Sequence, residues 1–334
     1  MNEAPNRVHV SRRDSVESGN DHSYRRIIIA AKTLFWLALA FILIQQLWAS
    51  WWPDLARARV LSRLQNERKS RVIAMIHRQE TVNFLGVPVS SYLNIEDSEE
   101  VLRAIRLTLD EQPIDMILHT PGGLVLAAEQ IAKALVEHKG KVTVFVPHYA
   151  MSGGTLIALA ADQIVMDSNA VLGPIDPEVG DMPAASIIKV LTLKKPSQMS
   201  DEMLILADVA AKAQLQVASF ITEVLLKRFP KEKAIELATI LSDGHWTHDF
   251  PITVAGARQL GLPVSTDMPL TVYQLMDLYP QTGTTRPSVL YVPIRRQSSD
   301  AGTTAVVPGL SSEKKLSVPS QSKLRSPTHW INGS

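Results

Sequence analysis

The chain has 334 residues, of which 46% are hydrophobic, so it can hold one domain of about 200 residues with appended segments. Its 34 Lys and Arg residues nearly balance 33 Asp and Glu residues, and a net charge of +1 gives no electrostatic reason to expect a nucleic acid partner. The absence of cysteine excludes disulfides, thiol catalysis and cysteine-based zinc sites.

The first 52 residues predict a tail followed by a membrane span. Residues 1–26 are polar and lack aliphatic runs, which is typical of a disordered segment. Residues 27–52 are almost entirely apolar and exceed the about 20 residues that one transmembrane helix needs, and three tryptophans close the stretch as in an interfacial belt. A buried core helix would rarely gather aromatic residues at one end. A cleaved signal peptide is disfavoured because no small-residue cleavage site follows.

The rest of the chain divides into three further segments. Residues 53–70 have no glycine, and no proline after Pro53, and predict a helical stalk that lifts the domain off the bilayer. Residues 71–280 have the composition of a folded domain, and residues 281–334 are rich in Ser, Thr and Pro and predict a disordered tail. Basic residues flank the span on both sides, with a slight excess that favours a cytoplasmic location for the domain.

Strand-like and helical segments alternate in the predicted domain, which favours an α/β fold with a mainly parallel sheet. Asp97 or Ser98 is expected to cap the first helix, and Gly140 to end the second. The predicted strands are 71–77, 87–95, 114–119, 141–147 and 163–166, and the predicted helices are 98–108, 124–138 and 152–161.

Two of the predicted strand-to-helix turns are rich in glycine. One is Thr120-Pro121-Gly122-Gly123, and the other contains Met151-Ser152-Gly153-Gly154. Glycine lets backbone N–H groups approach a ligand closely, and an acyl-transfer enzyme needs such donors for its oxyanion. The same residues also fit two tight turns with a serine N-cap, so spacing alone leaves both interpretations open.

The wider context of these turns is more specific. It resembles the serine dehydrogenase proteinase family, which belongs with the Clp-type proteases and signal peptide peptidase A. The matching segments are His119–Gly123, Val146–Thr155, Leu172–Pro177, residues 95–102 and Trp246–Asp249.

The resemblance covers about residues 60–265 and has several implications. It implies a Clp-protease/crotonase-like spiral of ββα units, usually assembled as an oligomer and here preceded by one transmembrane helix. It implies a serine endopeptidase with Ser152 as nucleophile, and the N–H groups of Gly123 and Gly153 as its oxyanion hole.

The base that would activate Ser152 is harder to identify, since Clp-type proteases use His and Asp whereas signal peptide peptidase A uses Lys. Where Clp-type proteases would carry their histidine, this chain has Asp176, which counts against an ordinary triad. A lysine base must be desolvated so that its pKa falls, although most lysines are solvated. Among several lysines, Lys212 is the first candidate because its neighbours are small and apolar, and Lys194 and Lys195 are the alternatives.

Five polar residues and one glycine are candidates for lining the pocket around Ser152. His248 and Asp249, with nearby His245, favour a hydrogen-bonded loop or a subunit contact over a triad remnant or a metal site, which would lack a third ligand. We expect neither a metal nor a cofactor. The full set of pocket candidates is Gly122, His119, His148, Asp176, His248 and Asp249.

These features favour a membrane-anchored serine peptidase that hydrolyses peptide bonds through an acyl-enzyme. Its expected partners are a peptide or membrane-protein substrate, the lipid bilayer and further copies of the chain. The unidentified base motivates one alternative, a catalytically silent oligomeric scaffold at the membrane. An acyl-CoA enzyme is less favoured, because crotonase enzymes act through carboxylates.

Overall fold

The computed structural model describes residues 14–77, 82–84, 87–89 and 92–279. Residues 1–13, half of the predicted N-terminal tail, and the whole predicted C-terminal tail lie outside these described residues, so disorder there stays a prediction.

Helices and strands alternate through the described residues, as predicted. The helices are α1 (Asp14–Arg68), α2 (Ile95–Arg106), α3 (Val125–Glu137), α4 (Gly153–Leu159), α5 (Ala184–Leu193), α6 (Asp201–Leu225), α7 (Lys231–Ser242), α8 (Val254–Gln259) and α9 (Leu270–Asp277), with a 3₁₀ turn at Pro196–Gln198. The strands are β1 (Arg71–Ile76), β2 (Val82–Phe84), β3 (Val87–Val89), β4 (Ile114–His119), β5 (Val142–Val146), β6 (Tyr149–Ala150), β7 (Gln163–Met166), β8 (Val171–Leu172), β9 (Glu178–Val179), β10 (Met182–Pro183), β11 (Ile252–Thr253) and β12 (Val264–Ser265).

A parallel sheet in the order β1-β4-β5-β7-β12 forms the centre of the domain. Every residue of β4 and β5 is buried, which explains why these strands consist of near-continuous apolar runs: helices cover both faces of a parallel sheet. A second sheet, in the order β11-β8-β6, joins β6 and β8 in parallel and β8 and β11 antiparallel. The predicted α/β class with largely parallel pairing is therefore confirmed.

Two predicted helix ends were wrong. α2 begins one turn earlier than expected, because Asn94 is its cap: the Asn94 side chain accepts from the N–H of Asp97, whose carboxylate accepts from the N–H of Asn94. α3 ends with His138 in an extended conformation, so Gly140 is not its cap residue. Gly140 instead allows a close approach, since a Cβ there would lie 2.5 Å from the carbonyl oxygen of Gln112.

α1 is continuous through the predicted membrane span and beyond both of its predicted ends. It begins at Asp14, inside the predicted tail. No proline, the residue that most often interrupts a helix, occurs in it before Pro53. Its segment Arg25–Gln45 has a mean hydropathy of 2.5, and none of that segment is buried. This helix is long and apolar enough to cross a membrane.

The C-terminal part of α1, which lies in the predicted helical stalk, packs against the domain. Leu64 is fully buried in a cluster with Phe145 of the sheet and Leu275 of α9. At the end of the helix, Arg68 forms an ion pair with the buried carboxylate of Asp115 on β4. Apolar residues on one helical face therefore hold this part of α1 on the sheet.

Candidate active site

The two glycine-rich turns lie against each other at the carboxyl edge of the central sheet. β4 and β5 are adjacent and parallel, so the segments that follow them emerge side by side. The N–H of Met151 donates to the carbonyl of Thr120 at 3.0 Å, and the N–H of Thr120 donates to the carbonyl of Tyr149 at 3.2 Å. A Cβ on Gly122 would lie only 2.8 Å from the Cβ of Ser152. Tertiary pairing thus brings Ser152 to the first turn.

Ser152 has a strained backbone, with φ 49° and ψ −118°. Such a conformation costs about 1–3 kcal/mol in a residue with a side chain and recurs where a serine is exposed between a strand and a helix. Ser152 occupies the N-cap position of α4, as one interpretation expected, but its side chain makes no capping hydrogen bond to the helix. Ser152 instead lines a cleft of about 410 Å³, hereafter the Ser152 cleft.

Gly123 and Gly153 both line the Ser152 cleft. Gly123 has φ +151°, and a Cβ there would lie 2.3 Å from the carbonyl oxygen of Leu93, so a larger residue would displace the turn. A Cβ on Gly153 would lie 3.9 Å from the nitrogen of Gly123, which shows that the two glycines are neighbours. Among the described hydrogen bonds, neither glycine N–H has an acceptor in the protein. Two unused backbone donors therefore lie beside Ser152.

A buried polar chain supports the first turn from behind. The N–H of Gly122 donates to the hydroxyl oxygen of Thr120 at 3.1 Å, and the same hydroxyl lies 2.8 Å from Nδ1 of His77. Nε2 of His77 lies 3.2 Å from the carboxylate of Asp97. Because a carboxylate only accepts, the proton of neutral His77 sits on Nε2, and Nδ1 accepts from Thr120. Sequence reasoning missed this chain, since its members come from three separate elements.

A histidine–aspartate pair lines the Ser152 cleft, and the sequence did not indicate that these two residues contact each other. Nδ1 of His248 lies 2.9 Å from Oδ1 of Asp176, 72 residues away in the chain, and both residues line the cleft. The carboxylate of Asp176 is 2% exposed and the imidazole of His248 is 31% exposed. The hydrogen bond that His248 donates to Asp176 raises the pKa of His248, against the opposing effect of partial burial, and the negative charge of Glu178 adds to the rise.

The pair has a definite proton arrangement. Because the Asp176 carboxylate accepts, Nδ1 of His248 carries the hydrogen, and neutral His248 keeps Nε2 free to accept a proton. This is the tautomer that a histidine base requires.

The candidate lysines do not occupy the environment that a lysine base requires. The side chain of Lys212 is 68% exposed and pairs with Asp208 at 2.5 Å, so its expected burial was wrong. Lys194 and Lys195 are also exposed. None of the three is among the described residues that line the Ser152 cleft.

The remaining pocket candidates lie outside the described lining of the cleft. His119 is buried with its ring centroid 4.1 Å from that of Tyr149, and His148 is exposed with its ring 5.4 Å from that of His119. Asp249 is exposed, although it directly follows His248. Gly122 is buried and contacts Ser152 without lining the cleft itself.

The chain is similar to several known proteins. Residues 23–306 match the model of a family described as ClpP-like SDH-type serine proteinases. Two uncharacterized proteins of Methanocaldococcus jannaschii are similar: one is 55% identical over 71% of this chain and 81% of its own length, the other 53% identical over 78% and 92%. Among solved structures, ClpP1 from Listeria monocytogenes is 16% identical, with a TM-score of 0.38 over 61% of this chain and 96% of that chain.

The fold is thus that of a ClpP-like serine proteinase, as the sequence predicted. Because the family match spans most of its length, this chain belongs to the ClpP-like SDH-type serine proteinase family.

Proposed function

We propose that this protein is a membrane-anchored serine peptidase that cleaves peptide bonds through an acyl-enzyme on Ser152. The observation that carries the proposal is one cleft containing a strained serine, whose hydroxyl caps no helix, together with the His248–Asp176 pair. A serine hydroxyl is a weak nucleophile until a base takes its proton, and a histidine oriented by a carboxylate performs this task on unrelated folds.

Each group has a role in the proposed reaction. Nε2 of His248 takes the proton of the Ser152 hydroxyl while its oxygen bonds to the substrate carbonyl carbon. The N–H groups of Gly123 and Gly153 donate to the resulting oxyanion. His248 then gives the proton to the leaving amine as the C–N bond breaks. Water hydrolyses the ester by the same proton route, which regenerates Ser152.

In this proposal His248 replaces the lysine base expected from the sequence. A lysine acts as a base near neutral pH only when burial destabilises its charged form. The side chain of Lys212 is 68% exposed and forms an ion pair with Asp208, so it lacks that burial. The proposed triad also has an unusual chain order, because Asp176 stands where Clp-type proteases would carry the histidine, and His248 comes later.

A nucleophile-directed probe tests the proposal. A fluorophosphonate is expected to label the full-length protein, and Ser152→Ala is expected to abolish both labelling and peptide hydrolysis. Ser168→Ala, which changes an exposed serine outside the described cleft lining, is the matched control and should label as wild type. Equal labelling of Ser152→Ala and wild type would overturn the assignment.

The proposed anchor is the Arg25–Gln45 segment of α1. At 1.5 Å per residue its 21 residues span about 30 Å, the thickness of a bilayer's hydrocarbon core. α6 is also apolar enough to cross a membrane, but its residues Val217 and Ile221 are buried in the domain core. The expected slight preference for a cytoplasmic domain stays a prediction.

Membrane extraction tests the anchor. The full chain is expected to stay in the membrane fraction after an alkaline carbonate wash. Combining Leu37→Arg with Phe41→Arg should release it, since a central charge disfavours insertion by about 2.5–3.5 kcal/mol per residue. Leu55→Arg, at an exposed position of the same helix beyond the apolar segment, should leave the chain in the membrane fraction. Release of the wild type by the wash would refute the anchor.

The scaffold alternative was motivated by the lack of a recognisable base, and the His248–Asp176 pair removes that motive. Assembly into an oligomer stays a prediction.

A further inference from the structure

A second cavity continues the Ser152 cleft along the surface between α3 and α6. This cavity, hereafter the outer groove, has a volume of about 770 Å³. Cleft and groove share four lining residues, so they adjoin, and together they are called the channel; the shared residues are Val125, Pro177, Glu178 and Val217. A peptide held at Ser152 can therefore extend into the outer groove.

The channel is acidic along its whole length. Asp176, Glu178 and Asp181 line the Ser152 cleft, and Glu129, Glu178 and Glu223 line the outer groove. Among the described lining residues there is no lysine or arginine. The near-neutral charge of the whole chain conceals this local excess of carboxylates.

Two of these carboxylates line the same groove without a compensating cation among the described residues. Glu129 projects from α3 and Glu223 from α6, and neither forms an ion pair with a described residue. Burial, and next the negative charge of Glu223, raise the pKa of the half-buried Glu129. Like charges brought together by folding destabilise the free protein, and a bound cation relieves that repulsion.

A separate observation in the Ser152 cleft also indicates a ligand with donors. Oδ2 of Asp176 is buried and lacks a hydrogen-bond partner in the described chain, although Asp176 lines the cleft. Buried carboxylate oxygens normally have a donor. A donor on a bound substrate would supply it.

The walls of the outer groove fit the rest of a long basic side chain. Leu126, Leu215 and Phe220 line the groove beside the two glutamates, and the first two are largely exposed. Lys and Arg pack their methylene stems on apolar surface while the charged end meets a polar partner.

From these features we infer that the substrates are basic peptides, and that the outer groove binds a Lys or Arg side chain next to the scissile segment, between Glu129 and Glu223. The inference rests on the proposed function, because it assigns the substrate class of that same cleft.

Peptide binding to the inactive full chain tests the inference without requiring turnover. The protein is Ser152→Ala in detergent micelles, and the probes are fluorescent pools of short peptides with one position in turn fixed as Arg, or as its neutral analogue citrulline. At the position that enters the groove, anisotropy should show about tenfold tighter binding of the Arg pool, as expected for a charge-assisted hydrogen bond. High salt should reduce this ratio.

Substitutions then assign the preference to the groove. Combining Glu129→Gln with Glu223→Gln should bring the Arg/citrulline ratio close to one. Glu137→Gln, on the exposed face of α3, is the matched control and should keep the ratio. Equal binding of both pools at every position, or a ratio unchanged in the double variant, would overturn the inference. Fluorophosphonate labelling of Ser152 would still stand in that case, so the two proposals fail separately.

Discussion

The Ser152 cleft and the outer face of α6 each present a candidate base, and they surround it differently. His248 in the cleft is partly buried and fixed by the almost fully buried Asp176. Lys212 on α6 is solvated and pairs with Asp208 one helical turn away. Apolar neighbours along the chain did not bury Lys212, because adjacent residues on a helix point in different directions. The reactivity of a basic side chain thus depends on the residues packed around it in space, and not on its neighbours in the sequence.

Removing His248 should give the largest effect on hydrolysis. His248→Ala is expected to lower kcat by about 10²- to 10⁴-fold, the usual contribution of a general base. Steady-state hydrolysis of a fluorogenic peptide measures it. His245→Ala, at an exposed histidine of the same loop, should stay near wild type. Wild-type activity in His248→Ala would remove His248 from the reaction.

Asp176→Asn should reduce kcat by a similar or slightly smaller factor, about 10²-fold or more, because the imidazole keeps its place but loses the partner that fixes its tautomer. A melting temperature close to that of the wild type would show that the Asp176→Asn variant is folded, so that the loss is catalytic. Asp249→Asn, next to His248 but exposed, is the matched control. Equal losses in the two variants would argue against a specific role of Asp176.

The pH dependence of hydrolysis should also report the contact between His248 and Asp176. Asp176 raises the pKa of His248, opposed by burial and assisted by Glu178, so the acid limb of kcat/KM should lie above the ordinary value of about 6.5. Asp176→Asn should move that limb to lower pH. The folded protein also binds this proton more tightly than the unfolded chain does. The pair's contribution to stability is therefore complete below about pH 6.5 and lost as pH rises through the folded-state pKa. An unchanged acid limb in Asp176→Asn would contradict this.

The polar chain behind the first turn should have a smaller effect. Thr120→Val removes the hydroxyl that links Gly122 to His77, and it should lower kcat about tenfold with little change in KM, as one misplaced oxyanion donor would. Thr108→Val removes another largely buried hydroxyl, which bonds a carbonyl of α2, and should affect stability only. If both variants change kcat equally, the chain has no positioning role.

Lys212→Met should have the smallest effect. We expect wild-type hydrolysis and a change in the free energy of unfolding of about 0.5 kcal/mol or less, because the side chain is solvated. The combined Lys194→Met and Lys195→Met variant should likewise hydrolyse the peptide as the wild type does. A loss approaching that of His248→Ala would restore the lysine mechanism.

Sequence patterns anticipated the sheet and its turns well. The bounds of β4 and β7 are as predicted, because continuous apolar runs between polar breaks identify buried parallel strands. The start of α2 was misplaced by one turn, since Asn94, Asp97 and Ser98 are all good capping residues. The packing of α1 on α9 was missed because its partners follow about 200 residues later in the chain.

What the sequence determined by itself was the apolar segment of α1, the strands and the two glycine-rich turns. Each of these depends on residues that are close together in the chain, through hydropathy, periodicity or backbone freedom. The packing of the folded chain was needed to show that the Ser152 hydroxyl caps no helix and that Lys212 is solvated. It alone brought Asp176 to His248, across 72 residues. Burial and hydrogen bonding decide how readily a side chain gains or loses a proton, and both arise only when distant segments pack together.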